Sequence, residues 1–183
     1  MIEVRDLTVR FGGKTVFEHS AFTLPESGIV LLRGASGIGK TTLLRVLSGL
    51  LKPETGSVTG LQGRKVSFAF QEPRLLEWMS ALQNVALVSD PKTAESLLNR
   101  LGLEDELSEK AGVLSGGQKQ RVSLARAFAF SNDVVLLDEP FSGLDEENKR
   151  RAAELIRTAK LAVVVTHDAD DAALFQPEAN IIL

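Results

Sequence analysis

The sequence predicts an α/β fold, with a mostly parallel sheet flanked by helices, an N-terminal antiparallel β region and an inserted small helical lobe. Three observations carry this. The apolar run Gly28 to Leu32 passes through a glycine-rich turn into Thr41 to Leu47, whose apolar residues have helical spacing, so strand, loop and helix follow in order. Two further runs, Val134 to Leu137 and Leu161 to Val165, have the near-continuous Val and Leu content of strands covered on both faces. Each ends in side chains with chemistry to offer: Asp138 and Glu139 after the first, His167 after the second. Finally, the pattern turns helical at Ala81 to Val88, Thr93 to Leu101 and Glu104 to Lys110, with few β-branched residues, which marks residues 72 to about 114 as the lobe.

The remaining elements follow from local signals. Ile2 to Arg10 and Thr15 to Leu24 alternate apolar and polar residues around Gly12-Gly13-Lys14, which predicts a hairpin with Phe11 at its turn. Pro53 to Gly56 marks a turn, and Ser57 to Gly63 and Lys65 to Phe70 are expected as short strands. Glu104, Asp105 and Glu106 read as a solvated face. Ser115 is a good N-cap for a helix over Gln118 to Phe130, with Val122, Leu124, Ala125 and Phe128 toward a core. Asp145 to Ala159 should be a charged helix, Ala169 to Phe175 a short one, and Ala179 to Leu183 a last strand. His19, in the hairpin, reads as structural.

Composition narrows the function. With 183 residues, 44% of them hydrophobic, the chain can build one sizeable core, so it is expected to be one unit with its core at about 1–71 and 115–183 and the lobe between. A net charge of −3 provides no global basic field to hold nucleic acid. The lack of cysteine excludes disulfides, Cys-ligated zinc and thiol chemistry. Neither a signal-peptide pattern at Met1 to Asp6 nor an apolar run of roughly 18 residues is present, so any service to a membrane is expected to pass through a partner.

The chemistry concentrates at Gly34-Ala35-Ser36-Gly37-Ile38-Gly39-Lys40-Thr41-Thr42, a phosphate-binding loop in its required context of strand before and helix after, hence a P-loop NTPase-like core. Its glycines let backbone N–H groups approach an anion, and the helix N-terminus adds a favourable dipole. Lys40 offers a point charge to the terminal phosphates and Thr41 a hydroxyl to magnesium. Asp138 and Glu139, adjacent on a strand, point to opposite sides: Asp138 suits magnesium, and Glu139 the orientation or deprotonation of an attacking water. His167, as a neutral imidazole, could donate to the γ-phosphate or to that water. The run Leu114-Ser115-Gly116-Gly117-Gln118 has the makings of a second anion site and equally those of an ordinary capped helix.

Phosphate loop, Ser-Gly-Gly-Gln run, paired carboxylates and histidine, in this order, resemble the ATP-binding subunits of ABC transporters over nearly the whole chain. The resemblance implies that Leu114 to Gln118 is the family's signature, that Phe11 stacks on adenine, and that Gln71 is the Q-loop glutamine linking metal and water to the transporter contact. It further implies that Ser142-Gly143-Leu144-Asp145 is the D-loop and His167 the switch histidine. In such proteins two nucleotide-binding domains pair head to tail, each ATP lying between one copy's phosphate loop and the other's Ser115-Gly116-Gly117-Gln118, and a transmembrane permease subunit is driven by their opening. The segment Gln71 to Trp78 is similar to that of nitrate, sulfonate and taurine importers, which makes Arg74, Leu75 and Trp78 interface candidates, with Trp78 alternatively in the lobe's core. The implied cofactors are ATP and Mg2+, and the implied location is the inner face of the cell membrane. A soluble ABC-type ATPase in repair, translation or assembly is the alternative; repair members carry a long coiled coil and translation members usually two such domains, and neither is present here.

Overall fold

Two sheets frame the protein. The computed structural model describes residues 1–168, 171, 173–175, 177 and 179–183. Strands β1 (Ile2–Phe11) and β2 (Lys14–Leu24) form the expected hairpin, and β4 (Thr55–Thr59) pairs antiparallel on the other edge of β1. This strand begins earlier than expected because its Gly56 lies on the backbone of β1. A Cβ there would sit 2.6 Å from the carbonyl oxygens of Arg5 and Asp6, so only glycine permits the pairing.

The second sheet has β3 (Gly28–Arg33), β5 (Val66–Ala69), β6 (Val134–Asp138), β7 (Leu161–Val165) and β8 (Ala179–Ile182) in the order β5-β6-β7-β3-β8, every pair parallel. Its strands are covered on both faces. Leu31, Val135, Leu137, Ala162 and Val164 join one buried cluster with the helices, while Val30, Leu32, Val134, Leu136, Val163 and Val165 join another with the antiparallel sheet and α1 (Lys40–Leu47). This alternation explains the unbroken apolar runs: both sets of side chains leave water, at roughly 1.5–3 kcal/mol each.

In the segment inserted after β5, α2 (Ala81–Ala86) and α3 (Pro91–Arg100) pack on α4 (Gly116–Phe130). Ser80 caps α2 with a reciprocal bond to Gln83, and Asp90 caps α3. The helix expected at Glu104 to Lys110 does not form. That stretch is a series of turns that bridges Ser80 at Lys110, and its carbonyls at Leu107 and Glu109 accept the N–H groups of Leu82 and Ala81 at 3.0 and 2.9 Å. Its acceptors thus satisfy the first turn of α2 instead of a helix of its own. Nor is Glu106 a purely solvated charge, for it accepts from Gln118 at 2.8 Å.

The charged helix α5 (Glu146–Ile156) starts at its cap Asp145 and leads into β7. The short helix expected at Ala169 to Phe175 falls partly on residues outside those described. Among the described residues, no helix is long and apolar enough to cross a membrane.

Candidate nucleotide site

The turn between β3 and α1 places its residues at the carboxyl end of the parallel sheet. Gly39 begins α1 with φ of 116°, a left-handed backbone, and a Cβ there would meet Val16 and the Phe17 ring at 2.7 and 2.8 Å. No side chain caps this helix. Its first N–H groups are therefore directed into a cavity of about 290 Å3 whose walls include Ser36, Gly37, Lys40, Thr41, Thr42 and Gln71. Lys40 is only 8% exposed, and its ammonium donates to the carbonyls of Gly34 and Ala35 at 2.8 and 2.9 Å. Two of its three protons thereby brace the loop, and the third is left for a ligand. Ile38 lies on the loop's outer side, 39% exposed.

Asp138 ends β6 at the floor of this cavity, where the Thr41 hydroxyl donates to its carboxylate at 2.7 Å. Burial pushes the Asp138 carboxyl above its ordinary value, against the opposing pull of the Thr41 bond. A hydroxyl and a buried carboxylate oxygen, side by side next to a phosphate-sized cradle, fit a hard divalent cation such as magnesium. Among the described residues no three His, Cys, Asp or Glu converge on a metal.

Glu139 is the hub. Its backbone takes φ of 52°, unusual for a side chain of this size, and three hydrogen bonds hold the backbone of that turn. Its N–H donates to Val165 at 3.0 Å, while its carbonyl accepts from Ser142 N–H at 3.2 Å and from the Gln120 amide at 3.3 Å. One carboxylate oxygen accepts from Gln71 Nε2 at 3.2 Å and the other lies 3.1 Å from His167 Nδ1. Three residues far apart in sequence thus meet at one carboxylate on the rim of the phosphate-loop cavity.

The second glycine-rich turn lies elsewhere. Ser115 caps α4 with its hydroxyl accepting from Gln118 N–H, and the Gln118 side chain returns to Ser115 N–H at 2.8 Å and donates to Glu106. The Gln118 side chain therefore serves the cap, with its oxygen on Ser115 and its amide on Glu106. Gly116 is open on its Cβ side, whereas a Cβ on Gly117 would lie 2.6 Å from the carbonyl oxygen of Gly143. Among the described residues that line the phosphate-loop cavity, Ser115, Gly116 and Gly117 do not occur, and neither does Phe11, which stands 47% exposed at the end of β1.

Two contributors escape sequence reasoning. Val16 walls the cavity from β2, a tertiary approach that carries no local signal. Gln120 did leave one: it stands at i with Leu124 at i+4 and Phe128 at i+8 on the buried stripe of α4, a polar group where apolar ones belong. Of the interface candidates, Trp78 is 71% exposed and not in the lobe's core, and the Arg74 guanidinium covers the Phe70 ring at 4.1 Å. Leu75, by contrast, packs inward against the helical core.

Comparison with known proteins gives the chain's family. The family described as ABC transporter matches residues 17–142. An aliphatic sulfonates import ATP-binding protein of Paracoccus denitrificans is 37% identical over 182 residues, spanning 94% of this chain and 75% of its own. Its namesake from Zymomonas mobilis is 40% identical over 93% of this chain and 77% of its own. Among solved structures, the dimeric post-hydrolysis state of an ATP-binding cassette bound to ADP and Pi superposes with a TM-score of 0.84 at 28% identity, covering 96% of this chain and 92% of that one. The dimeric structure of a bacterial ABC transporter cassette gives 0.84 at 27% identity, covering 100% of this chain and 94% of that one. The chain belongs to the ABC transporter family and is one of its ATP-binding, ATP-hydrolysing subunits.

Proposed function

We propose that two copies of this chain close on ATP and open on its hydrolysis, driving a transmembrane permease that imports a small organic oxyanion of the sulfonate class. The observation that supports this most directly is the Glu139 carboxylate, held between Gln71 and His167 at the rim of the phosphate-loop cavity. The names of the relatives support import, and the dimeric neighbours support the pairing. The chain would work on the cytoplasmic face, with the lobe around 72–114 and its exposed Trp78 toward the permease.

Each part of the site has a task. Gly34, Ala35, Ser36, Gly37, Ile38 and Gly39 wrap the β- and γ-phosphates with backbone N–H groups, and Lys40 adds its charge. Phe11 offers its ring to adenine. Thr41, Asp138 and Gln71 would hold magnesium, with Thr42 beside them; when bound, the ion would supply positive charge against the negative charge of the phosphates. Glu139 accepts a proton as a water oxygen attacks the γ-phosphorus; the bond from that phosphorus to the bridging oxygen breaks, and ADP and inorganic phosphate leave. His167 steadies the carboxylate and the γ-phosphate. From the other copy, Ser115, Gly116, Gly117 and Gln118 close over the same phosphate with the α4 N-terminus.

The test is Glu139→Gln. It should bind ATP with near-normal affinity, hydrolyse it about a hundredfold or more slowly, and sediment as an ATP-dependent dimer. Unchanged turnover would remove Glu139 from its role. Co-purification of the tagged chain with a polytopic membrane protein supports the transport reading, whereas stimulation of its ATPase by nucleic acid would favour a soluble one.

A further inference from the structure

Beside the phosphate loop, a second cavity of about 200 Å3 opens between the turn after Glu139, α5 and the segment after β7. Its one ammonium belongs, among the described residues lining it, to Lys149 of α5, whose side chain is 16% exposed. That ammonium lies 2.6 Å from Asp171 Oδ1, 3.8 Å from Glu146 and 4.0 Å from Asp168. Asp171 in turn accepts from the Thr166 hydroxyl at 3.4 Å, and Thr166 Oγ1 accepts the N–H of Asp168 at 3.2 Å. His167 is the residue between those two. Lys149 thus reaches both neighbours of the histidine, one through Asp171 and one directly.

We propose that Lys149 is a positioning residue for His167, clamping the segment after β7 so that the imidazole faces Glu139; this rests on the role proposed above for His167 in hydrolysis. The charge balance explains why a cation is needed. Three carboxylates converge on one ammonium, and Asp171 is buried to 8% exposure. Without the ammonium they repel one another and Asp171 loses its counter-charge, which releases the segment to move outward. The hydrogen bond to Asp171 also holds the Lys149 ammonium above its ordinary pKa, against the effect of burial. Because Lys149 stands one turn into the helix capped by Asp145, the clamp links the end of the Ser142 to Asp145 loop to the histidine.

The chain has two histidines, which supplies an internal control. In the nucleotide-free protein, Lys149→Met should shift and broaden the imidazole NMR signal of His167 and leave that of His19, in the β1–β2 hairpin, in place. Asp171→Asn, which removes the same ion pair from the other side, should do likewise, while Lys149→Arg should restore the native signal. With Mg-ATP, Lys149→Met should lower kcat about tenfold with KM within about twofold, because the phosphate loop is untouched. An unmoved His167 signal in both charge-removing variants overturns the clamp. A shifted signal with unchanged kcat supports the clamp but counts against His167 as a participant in hydrolysis.

Discussion

Two helix N-termini in this protein are rich in glycine, and they are built in opposite ways. α1 starts at a left-handed Gly39 with no side-chain cap, so its leading N–H groups await a partner, and Lys40 and Asp138 bring both signs of charge within reach. α4 starts at Ser115 with a complete capping box, its donors partly satisfied by its own hydroxyl and by Gln118. An open helix end gains strongly from a bound phosphate and leaves unsatisfied groups when the phosphate departs. A self-capped end gains less and loses little. The difference teaches where grip and release would reside in the proposed cycle: the α1 end is left open for an anion, and the α4 end is already satisfied without one.

The largest expected effect breaks the first member of this pair. Lys40→Ala should weaken ATP binding by about a hundredfold in calorimetric titration, since a charged donor to phosphate disappears from a buried cradle. Next, Asp138→Asn should reduce magnesium-dependent turnover by at least about tenfold, yet raise the Tm of the protein free of nucleotide and magnesium. The sign follows from burial, which holds the Asp138 carboxyl above its ordinary range, so the fold is penalised by the ionised form. That penalty is absent below the unfolded carboxylate range and complete once pH exceeds the raised folded value. The gain in Tm should therefore be present at about pH 8 and vanish near about pH 3 in thermal melts. An equal gain at both would mean that packing, not charge, separates the two side chains. The smallest effect concerns the self-capped end: Ser115→Ala should cost about 1 kcal/mol of stability, a drop of roughly 2–4 °C, and leave the ATP affinity of the separate chain within about twofold. A large loss of single-chain affinity would place Ser115 in the cavity of its own copy.

Much of this arrangement was written locally. Glycines at 34, 37 and 39 between an apolar strand and a helix, carboxylates at the end of β6 and a histidine just beyond β7 are all signals of sequence neighbours. What neighbours do not encode is who approaches from afar. Val16 reaches the cavity because the antiparallel sheet folds over Gly39, and the order β5-β6-β7-β3-β8 arises from crossovers that no single strand announces. Glu104 to Lys110 misleads for a related reason: its residues have helical propensity, but tertiary pairing with Ser80 to Leu82 claims its carbonyls first. Glu139 illustrates both sides. Its place after an apolar strand was plain, whereas its left-handed backbone is imposed by Val165, Ser142 and Gln120.

Where Gly117 meets the carbonyl of Gly143, main chain rests on main chain with no soft filler between. A nudge to either loop is passed on with little damping, because the closest contact across the seam is backbone against backbone. The turn that caps α4 and the loop that follows Glu139 therefore ride on one chassis. Under the proposed pairing, pressure at a neighbour's triphosphate would be carried straight to this chain's own carboxylate.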